Sequence, residues 1–484
     1  MKKIQSIVLF YILTCTLSAQ KGMDSLSIKK DFQIFENILK KGHPSLYTYV
    51  DEEILDSIFE TTKDNLSTIT SDIELYKKML VITNQIRDGH LQLFFPNTIK
   101  TDQYYFPLIL KLINEKFYTD TDDFGIPIGS KINRINGKKA SRVFEKLKKY
   151  ATTDGYNLTR KYREIESKFG LYFAYEYGIN KEFIIEYTEP NGISKNSTIP
   201  AESFTKVRRR DINRNSYFAK YHKQENNFEF FNTFINNKAP FVFYKKELNT
   251  AILVVNSFDG DVGIFKSRIT KIFQEINKKK IANLIIDIRH NNGGFRSNAV
   301  CLYSFITHNV FKQVKNKYVA SLTIPEKKYV TRTFINEKEF LKDKYNNYPI
   351  YDGWKVLFDD LEVIMVPHKN RFKGTVYVLT GGATFSAGAI FALNAKNSTN
   401  STLIGEETGG GYYFSNSDLP VYYELPNSKI IMAMYMEKFN HYIKDKTITK
   451  GSGIPPDRHI TLSIDDLISG KDPELDYVFR LIGG

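Results

Sequence analysis

Cysteine is nearly absent: Cys15 and Cys301 are the only two in 484 residues. If the first twenty residues are removed, no disulfide can form within the remaining chain, and stability must come from packing. Long apolar runs are missing too. Beyond residue 20 none reaches the roughly 20 residues that cross a bilayer as a helix, which excludes an internal spanning segment of that kind. Metal chemistry has little to draw on, since the eight histidines show neither an H-E-x-x-H pattern nor paired-cysteine spacing. There is no phosphate-binding loop. The glycines of "TGGGYY" follow a strand pattern but do not open a helix, so a dinucleotide fingerprint is excluded as well. The expected chemistry uses no cofactor and no metal.

What is present reads as a globular protein of two or three domains, with 42% hydrophobic and 25% charged residues. The 14% of aromatic residues is spread along the chain and reads as core filling. The start, "MKKIQSIVLFYILTCTLSAQKG", has two lysines, an apolar stretch from Ile7 to Leu17 and then small residues. That is the layout of a secretory signal, with cleavage expected near Ala19 or Gln20. A lipid anchor at Cys15 is disfavoured by the size of Thr14 before it. Loss of Lys2 and Lys3 takes the formal charge from +14 to +12, which favours anionic surfaces loosely and names no partner. The densest basic run, "KVRRRDINR" from Lys206, has no interleaved aromatics and reads as a solvated linker, with no specific nucleic-acid partner.

Periodicity divides the chain. Residues 1–20 are the signal. Apolar residues recur at three and four through 21–103, a helical region that ends at "RDGHLQLFFP", where the period changes to two. Residues 104–205 read as short strands and turns around one good helix, "KASRVFEKLKKYA", and 206–238 as the linker. From 239 to 484 strands and helices alternate: "TAILVVNSF", "GIFKSRITKIFQEINKK", "NLIIDIR", "NAVCLYSFITH", "GTVYVLT", "SAGAIFALNAKN", "STLIGEE". Such alternation predicts an α/β layer with parallel strands, whose chemistry sits at the strands' carboxyl ends.

Two glycine-flanked strand ends stand out. In "TGGATFSAG", Ser386 follows an apolar strand and precedes a helix whose first turn is Ala387, Gly388 and Ala389. The surroundings approach the G-x-S-x-G elbow, with Thr384 in the first glycine's place. Ser386 is either a nucleophile on a strand-to-helix turn or a serine capping a helix. In "NLIIDIRHNNGG", Gly293 and Gly294 follow a strand end and could bring amides to a tetrahedral intermediate, or could be plain turn punctuation.

The blocks "LIIDIRHNNGG", "TGGATFSAG" and "LIGEETGGG", in this order, resemble the core of the S41 peptidases, the C-terminal processing protease and tricorn-core family. "GHPSLYTYV" and "IRDGHLQLFFP" resemble that family's amino-terminal helical region, "IPIGSKINRING" its PDZ-like module, and "GSGIPPD" with "GKDPELDYVFRLI" its carboxyl end. The resemblance implies a crotonase-like or ClpP-like α/β spiral core carrying helical and PDZ-like parts. It implies serine-dependent hydrolysis of polypeptide substrates, with Ser386 as nucleophile and the amides of Gly294 and Ala387 as oxyanion hole.

A serine hydroxyl needs a base. Where one branch of the family carries a lysine, this sequence has Gly410 or Gly411. The other branch uses a histidine near the end of the helical region, and "RDGHLQL" offers His90, which otherwise reads as a corner histidine bonded to backbone. His43 reads as a turn residue before proline, and His290 falls where the family varies. The family's orienting acid before "G-x-G-x-x-P-D" is replaced by Lys450, leaving Glu437, Asp445 and Glu406 as candidates, each also readable as a surface or structural carboxylate. A missing acid predicts a slow enzyme, or a protein that kept the fold as a carrier of a peptide or apolar ligand.

Overall fold

Three large sheets and a two-stranded ribbon organise the computed structural model, which describes residues 22–96, 103–207, 239–342, 345–347, 353–356 and 364–484. The expected signal at 1–20 lies outside the described residues, as does the expected linker apart from residues 206 and 207.

The central sheet runs, in spatial order, Phe241–Lys245, Thr250–Val254, Asn283–Asp287, Thr375–Thr380, Ser401–Gly405 and Arg458–His459. Its first pair is antiparallel and the rest are parallel. These strands read as unbroken apolar runs because both faces are covered. Ala251, Leu253, Leu284, Ile286, Val376 and Val378 pack under helices Val262–Lys278, Arg296–Ser304 and Ala387–Lys396. The alternate residues Ile252, Val254, Ile285, Leu379 and Ile404 pack under Leu475 and Val478 of helix Pro473–Gly483. Parallel order carries Asp287 and Thr380 to the same end of the sheet, so the glycine turn at 290–294 and the turn at 381–386 leave it side by side.

Three amino-terminal helices, Ser25–Gly42, Glu52–Asp64 and Asp72–Ile86, precede a short strand, Gln92–Phe94. Asp24 caps the first helix by accepting from Ser27 N at 2.9 Å, and Lys40 and Lys41 complement its last turn. The third helix stops at Arg87, whose φ of 58° turns the chain sharply. The strand that follows pairs antiparallel with residues 431–433 of the strand Ile431–His441. Adding that strand seats residues 88–91 at the edge of the core. The buried carboxylate of Asp31 fastens the first helix to the same region, accepting from Ser428 N at 2.6 Å, Asn427 Nδ2 at 2.8 Å and Asn427 N at 3.2 Å. Asp31→Ala is expected to cost about 2 kcal/mol, because the buried amide of Ser428 and the part-buried amide of Asn427 lose a charged acceptor. Thermal unfolding of the two proteins side by side checks this.

Residues 104–205 hold a sheet in the order Leu110–Ile113, Lys116–Thr119, Lys131–Ile135, Glu182–Thr188, Ser194–Pro200, with the expected helix at Ala140–Leu147. A second helix, Thr159–Tyr177, departs from the sequence reading of this stretch as strands and turns. Its buried residues Ile165, Phe169, Tyr172 and Phe173 do follow helical spacing. The aromatics favour strands by propensity, and no side chain caps its start, so local signals pointed elsewhere. The sequence reading also left residues 412–441 unassigned. They form a long antiparallel hairpin, Phe414–Glu424 with Ile431–His441, at the heart of a seven-stranded sheet.

Candidate active site

Ser386 joins strand Thr375–Thr380 to helix Ala387–Lys396 with φ 52° and ψ −125°, a positive-φ backbone outside the left-handed helical basin that L-residues seldom adopt. A capping serine has extended angles and accepts from the helix. Ser386 has neither feature, since its side chain makes no capping bond. The strained turn is held from three sides. Thr384, buried, donates Oγ1–H to Ile288 O at 2.8 Å and accepts from Gly381 N at 3.1 Å, so the threonine in the first glycine's place ties the turn to the neighbouring strand end. Phe385 N donates to Asn291 O at 2.9 Å, and Gly409 N donates to Thr384 O at 3.0 Å. Backbone strain of this kind persists only where the surroundings over-determine it.

The glycine turn meets the serine directly. A Cβ on Gly293, which has φ 107°, would lie 2.6 Å from Ser386 Cβ and 3.2 Å from Ala387 N. Gly294, φ 129°, bridges Phe258 in parallel fashion, with Phe258 N donating to Gly293 O and Phe295 N donating to Phe258 O. That pattern leaves the N–H of Gly294 itself facing away from Phe258. Ala387 is the first residue of its helix, where N–H groups have no partner within the helix. Gly293→Ala is therefore expected to lower the activity of the site by about 100-fold or more through displacement of Ser386. Rate assays with circular dichroism as a folding check would measure it.

His90 reaches this place from the amino-terminal region. Its buried ring lies 4.4 Å from the ring of Phe385, the residue before Ser386, and 5.0 Å from that of Tyr435. Its backbone N–H donates to Asp88 Oδ1 at 2.8 Å, while the ring atom Nδ1 is buried with no partner among the described residues. Burial pushes the imidazole down to about 4, against the opposing charge of Asp88.

Several residues that the sequence reading passed over surround it. His43, read as a turn residue, meets Asp88 Oδ2 through Nε2 at 2.9 Å, and Asn416 Nδ2 donates to the same oxygen at 2.9 Å. Burial pushes the Asp88 carboxyl up, but these partners outweigh it and hold it below the ordinary range. Asp154 accepts from Gly89 N at 2.8 Å and from Gly411 N at 3.0 Å. Burial, then the charge of Asp88, pushes its carboxyl up to about 7. One potential ligand atom each from Asp88, His90 and Asp154 falls within 4.8 Å of the others. The carboxylate oxygens are already taken by N–H donors, which suits a hydrogen-bonded network better than a cation. Asp88 was legible in "RDGH", whereas Asp154 and Asn416 carry no motif of their own.

The three acid candidates have other partners. Glu437 is buried with Lys317 Nζ at 3.0 Å and the hydroxyl of Tyr345; burial, then the charge of Asp418, pushes its carboxyl up to about 7. Exposed Asp445 accepts from Thr447 N at 2.8 Å. Glu406 lies 3.7 Å from Arg163 and accepts from Gly382 N at 3.5 Å. None of them bonds to His90 among the described residues, and Lys450 is exposed. The glycines in the lysine's place have no room for a side chain. A Cβ on Gly410 would lie 2.4 Å from Ala389 Cβ, and one on Gly411 would lie 2.7 Å from Phe414 O.

Residues 249–460 match the family model described as Peptidase family S41. Among solved structures, mature CPAF complexed with lactacystin is similar at a TM-score of 0.60 and 14% identity, covering 94% of this chain and 98% of that one. Mature CPAF alone gives 0.61 and 13%, covering 94% and 97%. The photosystem II D1 C-terminal processing protease is similar more loosely, at 0.43 and 12%, covering 95% and 97%. No curated protein matches the chain. At such identities the structural likeness speaks for the fold, and the family match covers the segment that carries Ser386 and both glycine turns. Residues 249–460, a little under half of the chain, are thus the part that is similar to peptidase family S41.

Proposed function

We propose that the protein is an exported serine peptidase that hydrolyses polypeptides through an acyl-enzyme, with Ser386 as nucleophile and His90 as base. The observation that carries this reading is the strained, uncapped Ser386 lying against Gly293, with the imidazole of His90 beside Phe385. In the first step Ser386 Oγ attacks the substrate carbonyl carbon and its proton passes to His90. The carbonyl oxygen gains the negative charge, and the N–H groups of Gly294 and Ala387 stabilise it at a helix start. Collapse of the tetrahedral intermediate breaks the C–N bond, and His90 returns the proton to the departing amine. Water then repeats the sequence against the ester, releasing the acid and restoring Ser386.

An orienting acid on the imidazole is not what Glu437, Asp445 or Glu406 supplies in this arrangement. Asp88 takes that part electrostatically: its charge favours the imidazolium that forms during attack, and it holds the backbone of His90. Residues 104–205 serve as a PDZ-like module, holding the carboxyl end of the substrate by strand addition at a sheet edge. Export rests on the amino-terminal pattern of residues 1–20; no helix among the described residues is long and apolar enough to cross a membrane.

The test is to incubate the purified protein with a fluorophosphonate and locate the adduct by peptide mass, alongside cleavage of a peptide library. The adduct is expected on Ser386. A protein that takes no probe and cuts no peptide, yet binds a peptide or apolar ligand saturably, would instead be a carrier that kept the fold.

A further inference from the structure

Residues 152–159, between helix Ala140–Leu147 and helix Thr159–Tyr177, touch each part of the site just described. Toward the base they bond the loop of His90: Thr152 Oγ1 donates to Gly89 O at 2.9 Å, Gly155 N donates to Arg87 O at 2.9 Å, and Asp154 accepts from Gly89 N. Toward the core they bond the glycine loop 407–411, whose Gly410 packs against Ser386, and the neighbouring turn at 451. Asp154 accepts from Gly411 N, Thr159 Oγ1 donates to Glu407 O at 3.0 Å, and Tyr156 N donates to Gly451 O at 2.7 Å. The fit is tight, since a Cβ on Gly155, φ 71°, would lie 2.2 Å from Gly451 O. Among the described residues only Asp154 joins the two loops with one side chain, one carboxylate oxygen to each.

We propose that Asp154 is a positioning residue for the reaction, clamping the His90 loop to the glycine loop so that base and nucleophile register only while residues 152–159 are seated. The proposal rests on the roles given above to Ser386 and His90. It also gives residues 104–205 a mechanical link to the chemistry, because the clamp lies on the chain segment between two of their helices.

The clamp needs a carboxylate. Two amide N–H groups require two acceptors, and a protonated carboxyl presents one of its oxygens as a donor. The groups facing Asp154 are Asp88, His90, Arg160 and the hydroxyl of Tyr49. Burial and the like charge of Asp88 raise Asp154 more than the two amides and Arg160 lower it, so it titrates near 7. His90, pushed down to about 4, is already neutral there. The raised value means that protonation does not unseat the segment; it leaves one amide facing a hydroxyl, so the rate should fall as pH drops through about 7 by loss of register, with Asp154 as the group responsible.

The experiment measures the rate of fluorophosphonate labelling against pH for the full chain and for Asp154→Asn, whose side chain accepts from one amide and presents an NH2 to the other. At about pH 8 the variant is expected to label about 100-fold more slowly, with its acid limb moved well below 7 toward that of His90. A folded variant that keeps the wild-type rate and limb overturns the proposal. Hydrogen exchange of the wild-type protein is the second arm, needed where the variant does not fold. Held by one carboxylate, the amides of Gly89 and Gly411 should open as one unit, so peptides containing them should show like protection at about pH 8 after correction for intrinsic rates. Protection at one and none at the other would also overturn it. A wild-type protein that takes no probe would sink the proposed reaction instead, and the exchange arm would still decide the clamp.

Discussion

Ser386→Ala is expected to lower peptide hydrolysis by about 10⁴- to 10⁶-fold and to abolish phosphonylation, with little change in thermal unfolding. The loss is large because the hydroxyl is the only part of the residue that reacts. Stability is spared because that hydroxyl caps nothing. A second substitution separates strain from chemistry. Glycine adopts φ 52° without the Cβ penalty, so Ser386→Gly should be equally inactive yet more stable than Ser386→Ala by about 1 kcal/mol. Residual rates with a peptide substrate, intact mass after labelling and melting curves measure all three quantities. Labelling that persists in Ser386→Ala would remove Ser386 from the reaction.

His90→Ala is expected to cost about 10⁴-fold or more in kcat/KM. Burial keeps the imidazole neutral above about pH 4, so at neutral pH it is ready to accept a proton. A base with so low a value is weak by itself. Its strength has to come in the transition state, when the new positive charge lies beside the carboxylate of Asp88. Truncation also opens a space against Phe385 and Tyr435, removing tilted and edge-on ring contacts that small imidazole can replace. Added imidazole should therefore recover part of the activity of His90→Ala and none of that of Ser386→Ala. His90→Phe, which keeps a ring against Phe385 and Tyr435 and lacks the base, should be inactive and close to wild type in stability. Wild-type turnover by either His90 variant would end the assignment.

The elements of the core were legible because their signals are local. Runs such as "NLIIDIR" and "GTVYVLT" are buried on both faces, and strand and helix alternate with short turns, so each element announces itself within ten or fifteen residues. Ser386 and the pair Gly293 and Gly294 were legible for a related reason: small residues crowd where backbone must approach backbone, and that crowding is visible in the letters. Helix Thr159–Tyr177 was missed because its aromatics favour a strand locally, while its packing against the sheet is not local. The hairpin of 414–441 was missed because several stretches of it are buried without alternation, which erases the period of two.

The carboxylates show where reading stops. Glu437 stood out in the sequence as well as any acid, yet it serves Lys317 and Tyr345; Asp154 stood out not at all, yet it holds Gly89 to Gly411. A carboxylate's role is set by which donors surround it, and those donors come from segments hundreds of residues apart. Composition and pattern alone determined that this chain would build a parallel α/β core and place a serine and a glycine pair at its strand ends. Tertiary structure alone decided that a short strand from the amino-terminal region would pair with residues 431–433 and carry His90 to the ring beside Ser386, and that Asp88, His43 and Asp154 would gather around it. The division is physical: periodicity records the burial of each element, whereas the meeting of charged side chains depends on distances that no stretch of sequence contains.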